Sequence, residues 1–165
     1  MCYYLDKDAV VIIIVFTIGF MMIPVKIHAV PGAMIPEYQT VGSAGADVCA
    51  FLKESFTIKP GETALIPTGI FIEIPEGYEA QIRPRSGLAI HHGITLLNAP
   101  GTIDSDYRGE IKIIMINLGQ TDFVISSGMR IAQMIFNKIY RGHFIEIDTL
   151  SNTARNDGGF GHSGK

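Results

Sequence analysis

Two cysteines in 165 residues, Cys2 and Cys49, cannot build a disulfide framework. Neither belongs to a C-x-x-C pair or a zinc-ligand spacing, so a zinc module and a thioredoxin-like redox motif are both excluded. Such sparse thiols predict a reduced, cytoplasmic protein. Cys49 runs into Ala50 and Phe51, an apolar setting in which a buried, inert thiol is expected. Clustered positive charge is missing as well. The 13 basic and 16 acidic side chains leave a net charge of −3, and the basic residues stand singly. They compose no cationic face for duplex nucleic acid or anionic lipid, so neither partner is expected. An anionic small molecule needs only local donors and stays in play.

The chain also lacks an apolar run long enough to cross a bilayer comfortably. Ala9 to Ile23 carries no charge, but these fifteen residues fall short of the roughly 20 that a spanning helix needs. A signal peptide is disfavoured because Asp6 and Asp8 flank Lys7 where a positive segment belongs, and no small-x-small site precedes Pro24. Residues 1–23 are therefore read as an apolar extension, either sequence upstream of a start at Met21 or Met22 or a weak anchor. The remaining length suits one domain with a proper core and is too short for two ordinary ones.

Helices have little room. From Pro24 onward glycine and proline recur at short intervals, among them Pro31-Gly32, Pro60-Gly61, Pro67, Gly69, Gly77, Pro84, Gly93, Pro100-Gly101, Gly119 and Gly128. The fillings are short and β-branched or alternating. They predict strands over 56–58, 64–66, 70–74, 79–83, 94–97, 110–117, 123–125, 130–136 and 143–147. Ser86 to His91 is the one candidate helical turn. Many short strands at close spacing predict an all-β sandwich, jelly roll or barrel over 24–147. Residues 148–165 turn polar and Gly-rich and read as a mobile tail.

Chemistry-bearing residues gather in five stretches. Asn98 to Ile111, NAPGTIDSDYRGEI, places Asp104, Asp106, Tyr107 and Arg108 on a turn that feeds the apolar run after it. A rigid strand pair carrying such a loop is a site candidate, and a hairpin with solvated charges accounts for it equally. Ser43 to Asp47 sets a carboxylate after small residues, as an Asx turn or as a ligand for a hard cation. Arg83 to Ala89 brackets Pro84 with two arginines and opens the helical turn at Ser86-Gly87. It reads as a phosphate cradle or as a capped helix start. Arg130 to Phe136 carries Gln133 in an otherwise apolar strand, where a buried amide must find partners. Arg155 to Gly164 holds an Arg, glycines and Phe160, which a disordered tail does not need and a stacked base would use. His91 and His92 are adjacent and form no ligand pair on their own. With His28 and His143 they read as surface or packing residues.

In this order and spacing the five stretches resemble the trimeric deoxyuridine triphosphate nucleotidohydrolases, or dUTPases. The family's Ala-Gly-x-Asp turn matches Ala44 to Asp47, and its Pro-Arg-Ser-Gly-Leu matches Pro84 to Leu88. Gly-x-Ile-Asp-x-Asp-Tyr-Arg-Gly-Glu-Ile matches Gly101 to Ile111, and Arg-Ile-Ala-Gln-x-Ile-Phe matches Arg130 to Phe136. The last motif, Arg-Gly-x-Gly-Gly-Phe-Gly-Ser-Thr-Gly, matches Arg155 to Gly164 with Asn156 for a Gly and His162-Ser163 for Ser-Thr.

The resemblance implies a jelly-roll homotrimer of the β-clip type. Its sites lie between subunits, and the tail of one chain closes over a site formed by two others. It implies Mg²⁺-dependent hydrolysis of dUTP to dUMP and pyrophosphate, which keeps uracil out of DNA and supplies dUMP for thymidylate synthesis. By the same resemblance Asp104 orients and deprotonates the attacking water, and Gln133 stands near that water and the α-phosphate. Tyr107 lies beneath the deoxyribose and excludes a 2′-hydroxyl, while Asn98 and the backbone of Gly101, Thr102 and Ile103 read uracil. Arg85, Ser86 and Gly87 contact phosphate, and Asp47 meets the metal through water. Arg155 clamps the γ-phosphate, and Phe160, with Gly161 and Ser163, forms the lid. The remaining Asp106 and Arg108 are expected to hold the hairpin. Two rivals are a deoxycytidine triphosphate deaminase and a non-catalytic nucleotide-binding module. The deaminase pattern puts its catalytic Glu at Ile114 and favours Pro-Gly-Trp where this chain has Ser105-Asp106-Tyr107.

Overall fold

A computed structural model describes residues 22–159. Within them the backbone forms eleven strands and one short helix. In chain order these are β1 (Lys26–Ala29), β2 (Ala46–Cys49), β3 (Phe56–Ile58), β4 (Thr63–Pro67), β5 (Ile70–Glu73), β6 (Tyr78–Arg83), α1 (Ser86–His92), β7 (Ile94–Leu96), β8 (Gly101–Ile103), β9 (Lys112–Asn117), β10 (Phe123–Ile125) and β11 (Arg130–Lys138). The all-β expectation holds, and α1 ends where Gly93 takes a left-handed φ of 67° that suits glycine.

The strands form four sheets, ordered β2-β11-β6-β8, β4-β9-β7, β1-β5 and β10-β3. Every pairing is antiparallel. Antiparallel strands present alternate side chains to opposite faces, and the sequence obeys that period. In β4 Ala64 and Ile66 turn inward while Thr63 and Leu65 face out. In β9 Ile113, Met115 and Asn117 turn inward. All of these inward residues but the polar Asn117 join Val48, Ile58, Ile70, Ile94, Ile111, Ile125, Ile131 and Met134 in one core that packs between the sheets. Isoleucine dominates because a β-branched chain fills a pleated face with little rotamer freedom to lose. The small antiparallel sheets close over a single apolar filling, as in a jelly roll.

Three strands, β1, β2 and β8, lie outside the periodicity-based expectation. Each has three or four residues and too few alternations to register as a pattern. The opposite difference falls on 143–147, which alternates like a strand yet forms none and leaves Phe144, Ile145 and Ile147 exposed. A strand pattern needs a ladder partner, and among the described residues this segment pairs with none. Cys49 is buried as expected, and burial raises its thiol above the ordinary range. His92 packs on Phe123 at 5.3 Å and His28 on Phe71 at 5.6 Å, both packing roles. Among the described residues no helix is long and apolar enough to cross a membrane. The apolar run from Ala9 lies almost wholly outside them.

Candidate active site

The hairpin after β7 is built by its own backbone and then buttoned to the core. The β8 strand pairs with β6, matching Gly101 to Ile82, Thr102 to Gln81 and Ile103 to Ala80. Gly101 is buried, and a methyl group there would stand 3.1 Å from Asn98 Nδ2, so the Asn98 amide lies directly over the strand's first residue. Beyond Ile103 the chain turns, with Tyr107 N–H donating to Asp104 O at 3.2 Å. Arg108 Nη1 donates to Ser105 O at 2.7 Å and to Tyr107 O at 2.9 Å. Arg108 thus holds the hairpin, the role expected of it.

The returning leg is fastened to the turn between β4 and β5. Ile111 N–H donates to Ile70 O at 2.9 Å, Thr68 Oγ1 to Ile111 O at 2.5 Å, and Gly69 N–H to Glu110 Oε1 at 2.9 Å. Lys112 Nζ stands 3.5 Å from Glu110 Oε2. Between this hairpin and β9 opens a cleft of about 380 Å³, within the usual range for small-molecule sites. Asp104 and Tyr107 line it with Thr102 and Ile103, and Leu65 and Ile114 give it an apolar wall. Asp104 and Tyr107 are both exposed, so a carboxylate and an aromatic face are available to the same ligand.

A second group forms around Asp47, which is only 4 % exposed. Its Oδ2 receives Arg130 Nη1 at 2.9 Å. Its Oδ1 receives Gln133 Nε2 at 3.3 Å and faces Arg85 Nε at 3.4 Å. Arg85 also donates from Nη1 to Arg130 O at 3.0 Å. Two guanidiniums on one carboxylate leave an excess positive charge in a partly buried place, which favours an anion. Ser86 and Gly87 open α1 directly after Arg85 and are exposed there. Gly45 allows the close packing: a Cβ on it would sit 3.2 Å from Gln133 Cβ and 3.3 Å from Ile135 Cγ1.

None of Asp47, Arg85, Arg130 and Gln133 lines the hairpin cleft. Asp47 in β2 lies opposite Gln133 in β11, and Gln133 opposite Arg83 in β6, whereas Gly101 in β8 lies opposite Ile82. Asp47 therefore sits on the β2 edge of the four-stranded sheet and the hairpin on the β8 edge, with Arg130 and Gln133 on the inner strand β11 and Arg85 just past the end of β6. Arg155 lies elsewhere again, exposed, with Nε donating to Gly158 O at 2.7 Å. Asn156 has φ +43°, the left-handed region that the family's glycine suits and that asparagine tolerates best among other residues. Phe160, Gly161, His162 and Ser163 lie outside the described residues.

Sequence reading missed two separate fastenings, Arg130 on the Asp47 carboxylate and Glu110 on the Gly69 N–H. Both residues open or close a motif beside apolar residues, and a charge in that position is a signal of pairing that only the cross-strand register reveals.

Fold and clefts together define a class: a small jelly-roll domain carrying one site residue group on an edge hairpin and another on a cationic cluster across the sheet. A family model described as dUTPase matches residues 32–164, and the chain belongs to that family. It is 53 % identical over 143 residues to the deoxyuridine 5'-triphosphate nucleotidohydrolase of Fusobacterium nucleatum, covering 87 % of this chain and 98 % of that protein. It is 61 % identical over 130 residues to the namesake from Rickettsia bellii, covering 79 % of this chain and 87 % of that one. A solved structure of Staphylococcus bacteriophage 80alpha dUTPase with dUPNHPP has a TM-score of 0.75 at 25 % identity, covering 86 % and 99 % of the two chains. A mutant dUTPase from phage phi11 of S. aureus, described with a structural Mg(II) ion, has a TM-score of 0.69 at 21 % identity, covering 76 % and 97 %. At that identity the likeness speaks for the fold alone.

Proposed function

We propose that this chain is a dUTP diphosphatase, hydrolysing dUTP to dUMP and pyrophosphate. The observation that carries the reading is the pairing of Asp104 with Tyr107 in one nucleotide-sized cleft at the end of a hydrogen-bonded hairpin. The backbone of Gly101, Thr102 and Ile103, with the Asn98 amide beside it, offers directional donors and acceptors to a pyrimidine edge. Tyr107 lies against the sugar. Asp104 orients a water for in-line attack on the α-phosphorus and accepts its proton as the new P–O bond forms and the bond to the bridging oxygen of the leaving pyrophosphate breaks.

Phosphoanhydride hydrolysis also needs charge neutralisation, which the hairpin does not provide. The cluster around Asp47 does, through Arg85, the opening of α1 at Ser86 and Gly87, and Gln133 beside the α-phosphate and its water. The absence of these residues from the lining of the hairpin cleft, together with membership of the dUTPase family, supports a homotrimer in which the hairpin of one subunit faces the cationic cluster of the next. A third chain then supplies Arg155 at the γ-phosphate and Phe160, Gly161 and Ser163 as the lid over the base. In this reading the enzyme is cytoplasmic and keeps uracil out of DNA.

The donor set fits Mg²⁺ in a limited sense. Among the described residues no three His, Cys, Asp or Glu cluster to form a protein cage. Asp47 presents a hard oxygen, Oδ1, whose two protein contacts are long, leaving it able to accept from a water. That suits a cation carried by the triphosphate and touched by Asp47 through water. When bound, Mg²⁺ would neutralise charge on the phosphate oxygens.

Incubating the purified protein with dUTP or dCTP and Mg²⁺, and following products by chromatography, tests the reading. Release of dUMP and pyrophosphate from dUTP alone is expected. A deaminated product would favour the deaminase, against which the apolar Ile114 in the cleft already argues. Binding without any product would leave a nucleotide-binding module.

A further inference from the structure

Tyr107 is exposed to 44 % and could adopt several side-chain directions, so something must hold its ring where a sugar would meet it. Two neighbours do. Tyr107 Oη donates to Glu110 O at 3.0 Å. Against the hydroxyl end of the ring lies Gly109. A Cβ placed on Gly109 would collide with the Tyr107 hydroxyl, stand 2.6 Å from its Cζ and 3.0 Å from its Cε2. Those three atoms are the nearest neighbours such a Cβ would have.

Gly109 does not have the left-handed backbone that usually calls for glycine, unlike Gly69 or Gly93 in the same protein. An alanine there meets no positive-φ strain, and the three atoms nearest its methyl group all belong to Tyr107. The hydroxyl end of the ring thus uses the empty space over Gly109 as its seat, and Glu110 O fixes it there by accepting the hydroxyl's hydrogen bond. Glu110 is itself immobilised, since its carboxylate accepts from Gly69 N–H and its neighbour Ile111 is bonded through both N–H and carbonyl to the β4–β5 turn.

The geometry points to Gly109 as a specificity-determining position: the missing side chain seats the Tyr107 ring, and through it the site rejects a ribose 2′-hydroxyl. This rests on the reading of the cleft as a dUTP site with Tyr107 beneath the sugar. A methyl group at 109 displaces the ring, breaks its bond to Glu110 O, and opens room under the sugar. Because the displaced group is the mobile end of a half-exposed side chain, the fold is retained.

The test compares kcat/KM for dUTP and for UTP in the full-length protein and in Gly109→Ala, Tyr107→Ala and Tyr107→Phe. In Gly109→Ala the dUTP-to-UTP ratio should fall about tenfold or more, the scale on which a small misfit in a pocket acts. Thermal unfolding, read in parallel, should shift by only a few degrees on the usual scale for a lost surface contact. Tyr107→Phe keeps the ring but frees it from Glu110 O, and should lower the ratio about threefold, the worth of one hydrogen bond. It decides the question should Gly109→Ala not fold. A selective wild type with a non-selective Tyr107→Ala and an unchanged ratio in Gly109→Ala and Tyr107→Phe overturns the role of the seat while sparing the site. An unselective wild type, or a selective Tyr107→Ala, overturns the reading of the cleft itself.

Discussion

Arg130 Nη1 stands 2.9 Å from Asp47 Oδ2, although the arginine side chain is 46 % exposed and the aspartate 4 %. The two partners therefore have very different alternatives when the pair is broken. Without Asp47, both Arg130 and Arg85 can turn toward water. Without Arg130, the carboxylate stays buried with only the longer contacts to Gln133 and Arg85. Arg130→Ala should cost about 2 kcal/mol, the worth of one hydrogen bond to a charged group, because the buried carboxylate loses its shortest contact and keeps the longer ones to Arg85 and Gln133. Asp47→Asn should cost nearer 1 kcal/mol, because hydrated guanidiniums lose little. Denaturant unfolding of the two variants checks the order, and equal or reversed costs would mean that Asp47 is not held chiefly by Arg130.

Asp104 sits at the exposed end of the hairpin, where its loss disturbs no core contact. Asp104→Asn keeps the shape and removes the proton acceptor. Turnover of dUTP should fall by roughly 10²-fold to 10⁴-fold, the usual contribution of a general base. Affinity for a non-hydrolysable dUTP analogue should stay within about threefold, since the proposed base and sugar contacts are made by other residues of the hairpin. Near-normal turnover would remove Asp104 from the mechanism.

How far these residues could be read from sequence depends on which interaction places them. The core strands were legible because alternation and burial are one signal: β3 and β10 fall at the expected residues, and β4, β6 and β9 within one or two of them. The hairpin was legible because turn chemistry is local, as the Arg108 bonds to Ser105 O and Tyr107 O illustrate. Long-range pairing was not. Nothing near Asp47 in the chain announces that Arg130, 83 residues away, takes its carboxylate. Nor does alternation alone make 143–147 a strand when no neighbouring edge receives it. The seat at Gly109 was hidden for another reason, since a glycine needed for room looks the same in sequence as one needed for a turn.

Asn117 ends β9 in what reads as the polar limit of an apolar strand, yet it is completely buried. Its Nδ2 donates to Ile58 O at 2.8 Å and to Thr121 O at 2.9 Å, and its Oδ1 accepts from Gly119 N–H at 2.9 Å. One amide thereby ties the end of β3 to the turn that follows β9. Asn117→Leu is close in size but leaves two carbonyls and an N–H without their partner. A loss of about 3 kcal/mol or more is expected, since each buried unsatisfied group costs about 1–3 kcal/mol. A calorimetric melt unchanged within a degree or two would show that water replaces the amide.

Asn156 occupies the position where the family motif has glycine, with φ +43°. Its side chain offsets part of that backbone cost: Oδ1 accepts from Thr153 N–H at 2.8 Å, while Asn156 N–H donates to Thr153 Oγ1 at 2.9 Å. The turn continues with Gly158 N–H donating to Arg155 O at 2.9 Å, so the conformation at 156 sets the direction of Arg155. Asn156→Gly exchanges the side-chain bond for backbone freedom, and KM for dUTP should change by less than about twofold. Asn156→Val cannot enter the left-handed region without a cost of roughly 1–2 kcal/mol, and in the proposed reading, where the tail closes over the site, substrate binding must meet that cost. KM should then rise about fivefold to thirtyfold, with the thermal stability of the domain unmoved because the tail lies outside its core. Steady-state kinetics on the two variants separates the cases, and equal KM values would show that Arg155 reaches the substrate without this turn.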